Sequence, residues 1–580
     1  MRGTFHGLEI GRTGINMGQL GLDITGHNIA NVNTRGFTRQ RIVQTAHDPL
    51  VGTALVRPVA AAHVGGGTKI QIHDQIRSEF LDRRFRTENT AASYWETRTQ
   101  ELRGLESFFD NVDERTSINA SLARFATALS TMADDPVSGA PRKEVQQSAL
   151  DMVQNFHTIH QGLVELQTNQ DRSVAAHVDL INEMAEKLVS LNQSIFRFEL
   201  TGHVANDLRD ARNLLLDDLS SIVDIEYSES FNARANGTTM TVSIGGVNLV
   251  NHDSRNVLEA VRTPSAHGVG LQYVKVPTWV ATISPDENGN MQRSDWAGYE
   301  RPLNLSSGND RGRLRALIDM RDNTDPLRPG IPASIENLNN LVRGLVEHVN
   351  RVHREGFNDH PFNPSTDGVN FFCQNAGTVF TSGTDVYIWN DSVNGWVNQA
   401  DTGEPPTVVF SDPADAPAGA TSSFDIMRIN ISNIRLSAEV MESEYNIAAS
   451  SERIDRGLAP VDQQRGNNEN MNALYALFGM NNLFMNGPPR VAIGSFDDFA
   501  TSIRTQVGST TRASRENANN TRNLTLSAEN ARLSVAGVSL DEEMTHMIRF
   551  NHAYNGAARV ITAMDDALDR LINGTGRVGL

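Results

Sequence analysis

The chain has 580 residues, of which 21% are charged and 39% hydrophobic, ordinary globular content with length enough for roughly three or four domains. A net charge of −18 argues against a nucleic-acid or anionic-membrane surface, because either would need a basic face to release counterions. Cys373 is the only cysteine, which excludes an intramolecular disulfide and the paired-cysteine zinc or redox motifs.

The first segment, 4 to about 31, has a helical pattern. Leu8, Ile15, Leu22 and Ile29 form one heptad row, and Ile10, Met17 and Ile24 a second on another face, so a lone helix cannot bury both. Gly11, Gly14, Gly18 and Gly21 each cost up to about 1 kcal/mol relative to alanine, and they suit a neighbour whose backbone comes close. Glu9, Arg12 and Asp23 interrupt the apolar positions, so neither a signal-peptide core nor a membrane span is expected here. Asn31 and Asn33 then suit the left-handed backbone that ends a helix, Gly36 a tight turn, and Phe37 the anchoring of a departing strand. An irregular, β-containing stretch follows through Gly65, Gly66 and Gly67, where Gly-Gly-Gly-Thr-Lys lacks the leading spacing of a phosphate loop and is a turn.

A long helix is predicted from about 75 to 110, with Ile76, Phe80, Phe85, Tyr94, Leu102, Leu105 and Phe109 as its apolar face. Further helices are predicted over 117–133 and 141–198, the second beginning at Pro141 and spanning about 85 Å. The helical pattern continues through 208–216, then the period changes to two. Met240 to Ile244, Gly245-Gly246 and Val247 to Leu249 make a β-hairpin, with strand-like pieces to about 283. Helix resumes over 313–354 with interruptions at Pro326, Pro329 and Pro332, and 356–424 is a small β-rich insertion.

Helical segments return from about 428, including 496–523. Leu526, Leu533, Leu540, Met547, Tyr554, Ile561 and Leu568 then recur every seven residues, with Ala536, Phe550, Ala557, Met564 and Leu571 as apolar companions. Ser539 and Glu542 fit a capping box that opens a helix at 540–572. The expected class is α+β: a long helical coiled-coil or bundle core with β-rich insertions. The expected units are 1–40 with 525–580, 41–355 with 425–524 including a β-hairpin region at 225–310, and 356–424.

The string Asn28-Ile-Ala-Asn-Val-Asn-Thr-Arg-Gly-Phe-Thr-Arg-Gln40 resembles the N-terminal motif of bacterial flagellar axial proteins (rod, hook and hook-associated), and Gly36 to Gln40 resembles its form in the hook-associated protein 1 family. Gly537 to Glu543, Ile548 to Phe550, Ala553-Tyr554, Val560-Ile561 and Leu568 are similar to that family's terminal helix. Asp207 to Arg212 and Gly312 to Leu314 also resemble it, so the likeness covers about the first 40 and last 45 residues and, more loosely, the helical body.

This resemblance implies a structural flagellar junction protein and no enzyme, cofactor or metal. The implied assembly interface is Leu8, Ile15, Leu22, Ile29, Asn31, Asn33, Gly36, Phe37, Leu540, Met547, Phe550, Tyr554, Ile561 and Leu568. It implies partners too: further copies in a ring or helical layer, the hook protein, hook-associated protein 3, and a cytoplasmic export chaperone on the C-terminal helix, with no nucleic acid or membrane. The location would be the extracellular flagellum, reached without a cleaved signal peptide, with chain ends that order on assembly. Hook-associated protein 3 or another axial protein is the nearest alternative. An alternative of a different class is a secreted hydrolase on an axial scaffold, for which no nucleophile or acid pair is recognisable. His157 and His160, spaced i and i+3, lack a third ligand and suit packing, while Asp565, Asp566 and Asp569 suit a solvated face.

Overall fold

The longest helical pattern in the chain becomes its longest element. In a computed structural model the helices are α1 (His6–Ala30), α2 (Glu79–Phe109), α3 (Ile118–Asp134), α4 (Gly139–Glu199), α5 (Asn206–Ile222), α6 (Arg313–Asp322), α7 (Ile331–Glu355), α8 (Ala438–Glu442), α9 (Glu469–Leu477), α10 (Phe496–Ala536) and α11 (Leu540–Gly574). The structure describes residues 5–47, 65–109, 117–232, 237–264, 310–325, 328–360, 367–373, 429–455, 465–481, 483 and 494–574, together with the backbone of separate strands within 272–302 and 378–424.

The helices bury two apolar cores in succession along the body. One gathers Leu102, Leu105, Phe125, Met152, Phe156, Leu163, Leu345 and Phe499. The other gathers Val174, Ile181, Leu188, Leu219, Val242, Leu314 and Leu317. The helix α4 is long enough to serve both, and α10 runs along α2. Ser117 caps α3 by accepting the N–H of Ala120, and Ser495 with Asp498 forms a full capping box on α10.

Strands β1 (Gln40–Ala46) and β2 (Thr68–Gln75) pair antiparallel. Strands β3 (Ile225–Asn232), β4 (Gly237–Ile244) and β5 (Val247–Asn251) form one side of a six-stranded antiparallel sheet continued by residues 254–255, 282–285 and 291–294. The predicted hairpin turn is present: Gly245 and Gly246 have φ of +54° and +79°, the left-handed pair that a two-residue hairpin turn requires.

Several boundaries differ from expectation. Residue 75 ends β2, and the N–H of Ile76 bonds the carbonyl of Arg39, so α2 begins only at Glu79 and Phe80 is 71% exposed. By contrast, the interruption expected within 313–354 is present, dividing it into α6 and α7 with Pro332 in the first turn of α7; Pro326 lies outside the described residues. The chain leaves the body later than 356, because Phe357 bridges Ser450, and Phe371 and Phe372 are fully buried in the first core. The exit and return are marked by Phe372–Cys373 pairing with Arg435–Leu436, and strands between 378 and 424 form a separate five-stranded antiparallel sheet. Finally, α10 continues unbroken past 523 to Ala536, so a boundary at 525 falls inside a helix.

Candidate functional site: the terminal hairpin and its corner

The two ends of the chain meet each other before they meet anything else. Helices α1 and α11 lie antiparallel, and the face α1 turns to its partner is a row of glycines alternating at intervals of four and three. A methyl group placed on Gly7 would stand 2.5 Å from Met564 Cε, on Gly11 2.6 Å from Ile561 Cγ1, on Gly14 3.0 Å from Ala557 Cβ, and on Gly18 2.9 Å from Tyr554 Cα, with Phe550 over Gly21. Side chains of α11 thus sit directly on the backbone of α1. The predicted close approach is present, and it explains how five glycines persist in a helix.

The glycine seam changes which predicted positions are covered. Met17 and Ile24 of the second row are buried. Leu8, Ile15, Leu22 and Ile29 are only half-buried, as are Met547, Phe550, Tyr554, Ile561 and Leu568, and Leu540 is exposed. The apolar heptads also do not form one seam, since Gly537 takes an extended conformation and separates Leu526 and Leu533 on α10 from the rest on α11. Other apolar side chains of α11 stay uncovered: Met544, Ile548, Val560, Leu571 and Ile572 are all exposed.

At the other end of the hairpin four segments distant in sequence converge. The Asn28 amide accepts from the N–H of Gln40 at 3.0 Å and donates to its carbonyl at 2.9 Å, closing the loop of residues 31–39 onto the end of α1. It donates as well to Glu543 at 3.1 Å. Arg39 spans both acids of α11, at 2.7 Å to Glu543 and 2.8 Å to Glu542, while its N–H bonds the last carbonyl of α10, Ala536. Glu543 is 2% exposed, so its charge is compensated almost wholly by Arg39 and Asn28. Desolvation pulls the Arg39 pKa down, but hydrogen bonds and the charges of Glu542 and Glu543 outweigh it and leave it raised. The hydrogen bond from Arg39 holds Glu542 below the usual carboxylate range. Its carboxylate therefore serves Arg39, a different partner from the one the capping-box pattern suggests.

The body holds the loop from beneath. Asp210 of α5 accepts the Thr38 N–H at 2.9 Å, and burial pushes its pKa up against that bond. Arg35 pairs with Asp218, and Gln40 donates to Asp207. Under the loop, Asp217 pairs with Arg86 at 2.7 Å and Arg532 at 2.5 Å, and the Arg532 guanidinium lies 4.0 Å over the Phe85 ring. The Asp207 to Arg212 string is thus the seat of the N-terminal motif.

Gly36 has φ of +82°, as the expected tight turn requires, and the Phe37 ring meets His27 edge-on at 5.3 Å. Asn31 and Asn33 are not left-handed. Asn31 sits at φ −102° and caps α1 through its side-chain amide, which donates to the His27 carbonyl, so the helix end is satisfied without a positive φ; Asn33 is exposed. Asn28, Glu543 and Asp210 stand inside the matched strings, yet none is among the expected interface residues. A signal existed for two of them: Glu543 occupies the one polar place in the apolar row 536, 543, 550, 557, 564, 571, and Asn28 ends the glycine row 7, 14, 21, 28.

Elsewhere, His157 bonds the Ile434 carbonyl at 3.0 Å, and burial lowers the pKa of both His157 and His160. Cys373 is half-buried and bonds the Leu436 carbonyl, and burial raises its thiol pKa to about 11. Among the described residues no cluster suits a metal ion, and no helix is long and apolar enough to cross a membrane.

Comparison with known proteins agrees with this arrangement. Residues 102–372 match the flagellar hook-associated protein FlgK helical domain, and residues 529–574 match the C-terminal region of the flagellar basal-body rod FlgEFG proteins. Flagellar hook-associated protein 1 of Bacillus subtilis strain 168 is 27% identical, with 99% of each chain covered. Its counterpart in Escherichia coli K12 is 23% identical over 97% of this chain and 98% of that protein. The fold is shared with the flagellar hook junction protein FlgK from Burkholderia pseudomallei, with a TM-score of 0.52 and 13% identity over 78% of this chain and all of that one. Signature strings at both ends, a helical body seated beneath them and a likeness over nearly the whole length make the chain similar to flagellar hook-associated protein 1.

Proposed function

We propose that the chain is a structural adaptor at the junction of flagellar hook and filament, working by packing and not by catalysis. The observation that carries this reading is the number of apolar side chains that α11 leaves exposed outside the row packed on α1, among them Ile548 at 57% and Ile572 at 66% exposure. Leaving them in water is unfavourable, and covering each large side chain contributes about 1.5 to 3 kcal/mol. Leu526 and Leu533 on α10 extend the uncovered surface past the corner.

In this reading the interface is Leu8, Ile15, Leu22 and Ile29 on α1 with Leu540, Met547, Phe550, Tyr554, Ile561 and Leu568 on α11, half-covered within one subunit and completed by neighbours. The loop residues Asn31, Asn33, Gly36 and Phe37 complete that interface at the hairpin's corner. Copies in a ring or helical layer are the first partners, with the hook protein on one axial side and hook-associated protein 3 on the other. A cytoplasmic export chaperone covers the exposed apolar side chains of α11 before export. The units are a terminal axial unit, an elongated helical body and an outer β-rich insertion.

A strain whose only copy ends at residue 536 tests this. Hooks without filaments, flagellin released to the medium and lost swimming are expected. Normal filaments on that strain would overturn the reading.

A further inference from the structure

The two apolar cores of the body are separated by a buried polar layer that the junction reading does not use. On α4 the change is abrupt: Leu163 belongs to the first core, Val174 to the second, and between them the buried inward-facing positions are Gln167 and Gln170. On α6 it falls between Leu317 and Met320, and on α2 it lies on the near side of Leu102, at Tyr94, Arg98 and Glu101.

Part of this layer is well bonded. The Tyr94 hydroxyl donates to Asp319 at 2.8 Å, Gln167 donates to the Arg321 carbonyl at 2.8 Å, Gln170 donates to Glu101, and Arg321 pairs with Asp171 and Asp322. Part of it is not. Arg98 is 2% exposed, yet both terminal guanidinium nitrogens lack a hydrogen-bond partner among the described residues, as do the amide oxygens of Gln167 and Gln170. Burial also raises the pKa of Glu101. Unsatisfied donors and acceptors crowded between two well-packed apolar blocks weaken the cohesion of that slab relative to its neighbours.

We infer that the layer around Arg98, Glu101, Gln167 and Gln170 is a flexural joint, across which the two blocks of the helical body tilt relative to each other while α2 and α4 pass through unbroken. The inference concerns the subunit alone and stands whatever the terminal helices assemble with. The outer block carries the exit to the inserted sheet and the inner block carries the seat of the terminal hairpin. The joint therefore uncouples motion at the periphery from the corner.

Hydrogen exchange on the full chain, read by mass spectrometry, tests it. Amides of α4 within 165–173 should exchange at least about tenfold faster than those of 145–163 and 176–195, because opening at a joint is local. Equal protection along α4 would overturn the inference. In the variant R98M/E101L/Q170L three polar members of the layer become apolar while its bonded part is kept, and exchange in 165–173 should slow toward that of its flanks, with a melting temperature equal to or above the parent's. A lower melting temperature with unchanged exchange would show a clamp and sink the proposal. If the variant fails to fold, the parent's exchange profile alone decides.

Discussion

Gly18 shows what the terminal seam demands of single residues. An added methyl there meets the backbone of Tyr554, with Cα at 2.9 Å and N at 3.0 Å, so neither a rotamer change nor a flexible tip relieves the clash. At Gly26, in the same helix, such a methyl would meet nothing within 4 Å. Intrinsic helix preference is the same at both sites and favours alanine by about 1 kcal/mol. Gly26→Ala should therefore slow amide exchange in α1, while Gly18→Ala should quicken it by forcing the helices apart. Equal responses would show that the seam is not closely packed.

His353 carries a different kind of constraint. It is fully buried, with Nδ1 donating to the Val369 carbonyl at 2.8 Å and Nε2 accepting the Ala448 N–H at 3.0 Å, so the fold requires the neutral ring. Burial lowers its pKa to about 4 from an ordinary 6.5. Because the folded value lies below the unfolded one, the stabilisation is complete above about pH 6.5 and is lost as pH falls toward 4, about 3 kcal/mol in all. Urea unfolding of the parent at pH 7 and pH 4 should include this loss, and His353→Gln should shrink the difference between the two by about 3 kcal/mol.

Among elements, the corner joining α1, α10 and α11 is the most consequential. Removing one partner of a buried charge pair costs about 3 to 5 kcal/mol, since the other is left uncompensated. Arg39→Ala should accordingly free the hairpin from the body, seen as faster exchange across residues 28–40 and easier proteolysis near Val538, while the melting of the two body cores stays as in the parent. Arg39→Met with Glu543→Leu should recover much of the loss. An unchanged hairpin in Arg39→Ala would mean that Asn28 and Asp210 suffice. Met547 lies one turn from Phe550, which packs on Gly21, and one turn from Glu543. Met547→Asp should leave the body folded but reduce incorporation into flagella, because a charge would enter a packed seam unpaired. Unchanged filament retention would count against it.

The elements themselves were largely legible in the sequence, because 3.6-residue apolar spacing and capping residues are local signals. The helices at 118–134, 139–199 and 540–574 and the hairpin at Gly245-Gly246 fall within a few residues of their predicted places. The corner was less legible. Its bonds join residues as far apart as Asn28 and Glu543, and only a polar residue in an apolar row hints at them. The heptad from Leu526 to Leu568 was misleading for the opposite reason: seven-residue spacing continues through Gly537 although the helix does not.

At the scale of the whole molecule, the glycine seam, the charged corner and the long body make one object with two ends of unlike character. One end is covered and internally satisfied, and the other keeps apolar side chains in water. What was hardest to read was the division of the body into two cores, since Gln167 and Gln170 keep the helical period and differ from their neighbours only in polarity.

The charged fastening of the hairpin to the body lies at one end, and the β1–β2 ribbon braces α1 only as far along as Thr13, which accepts from Thr68. With 35 residues at 1.5 Å each, α11 reaches about 50 Å beyond that fastening. Swinging such a lever by about 10° carries its tip about 9 Å, well over the 5.4 Å of one helical turn. Side chains such as Ile572 would then meet the wrong rung of an adjoining subunit. Angular precision at Arg39 and Glu543, backed by the ribbon's hold on Thr13, therefore governs alignment at a distance, and the few atoms there act as the sighting mechanism for the arm.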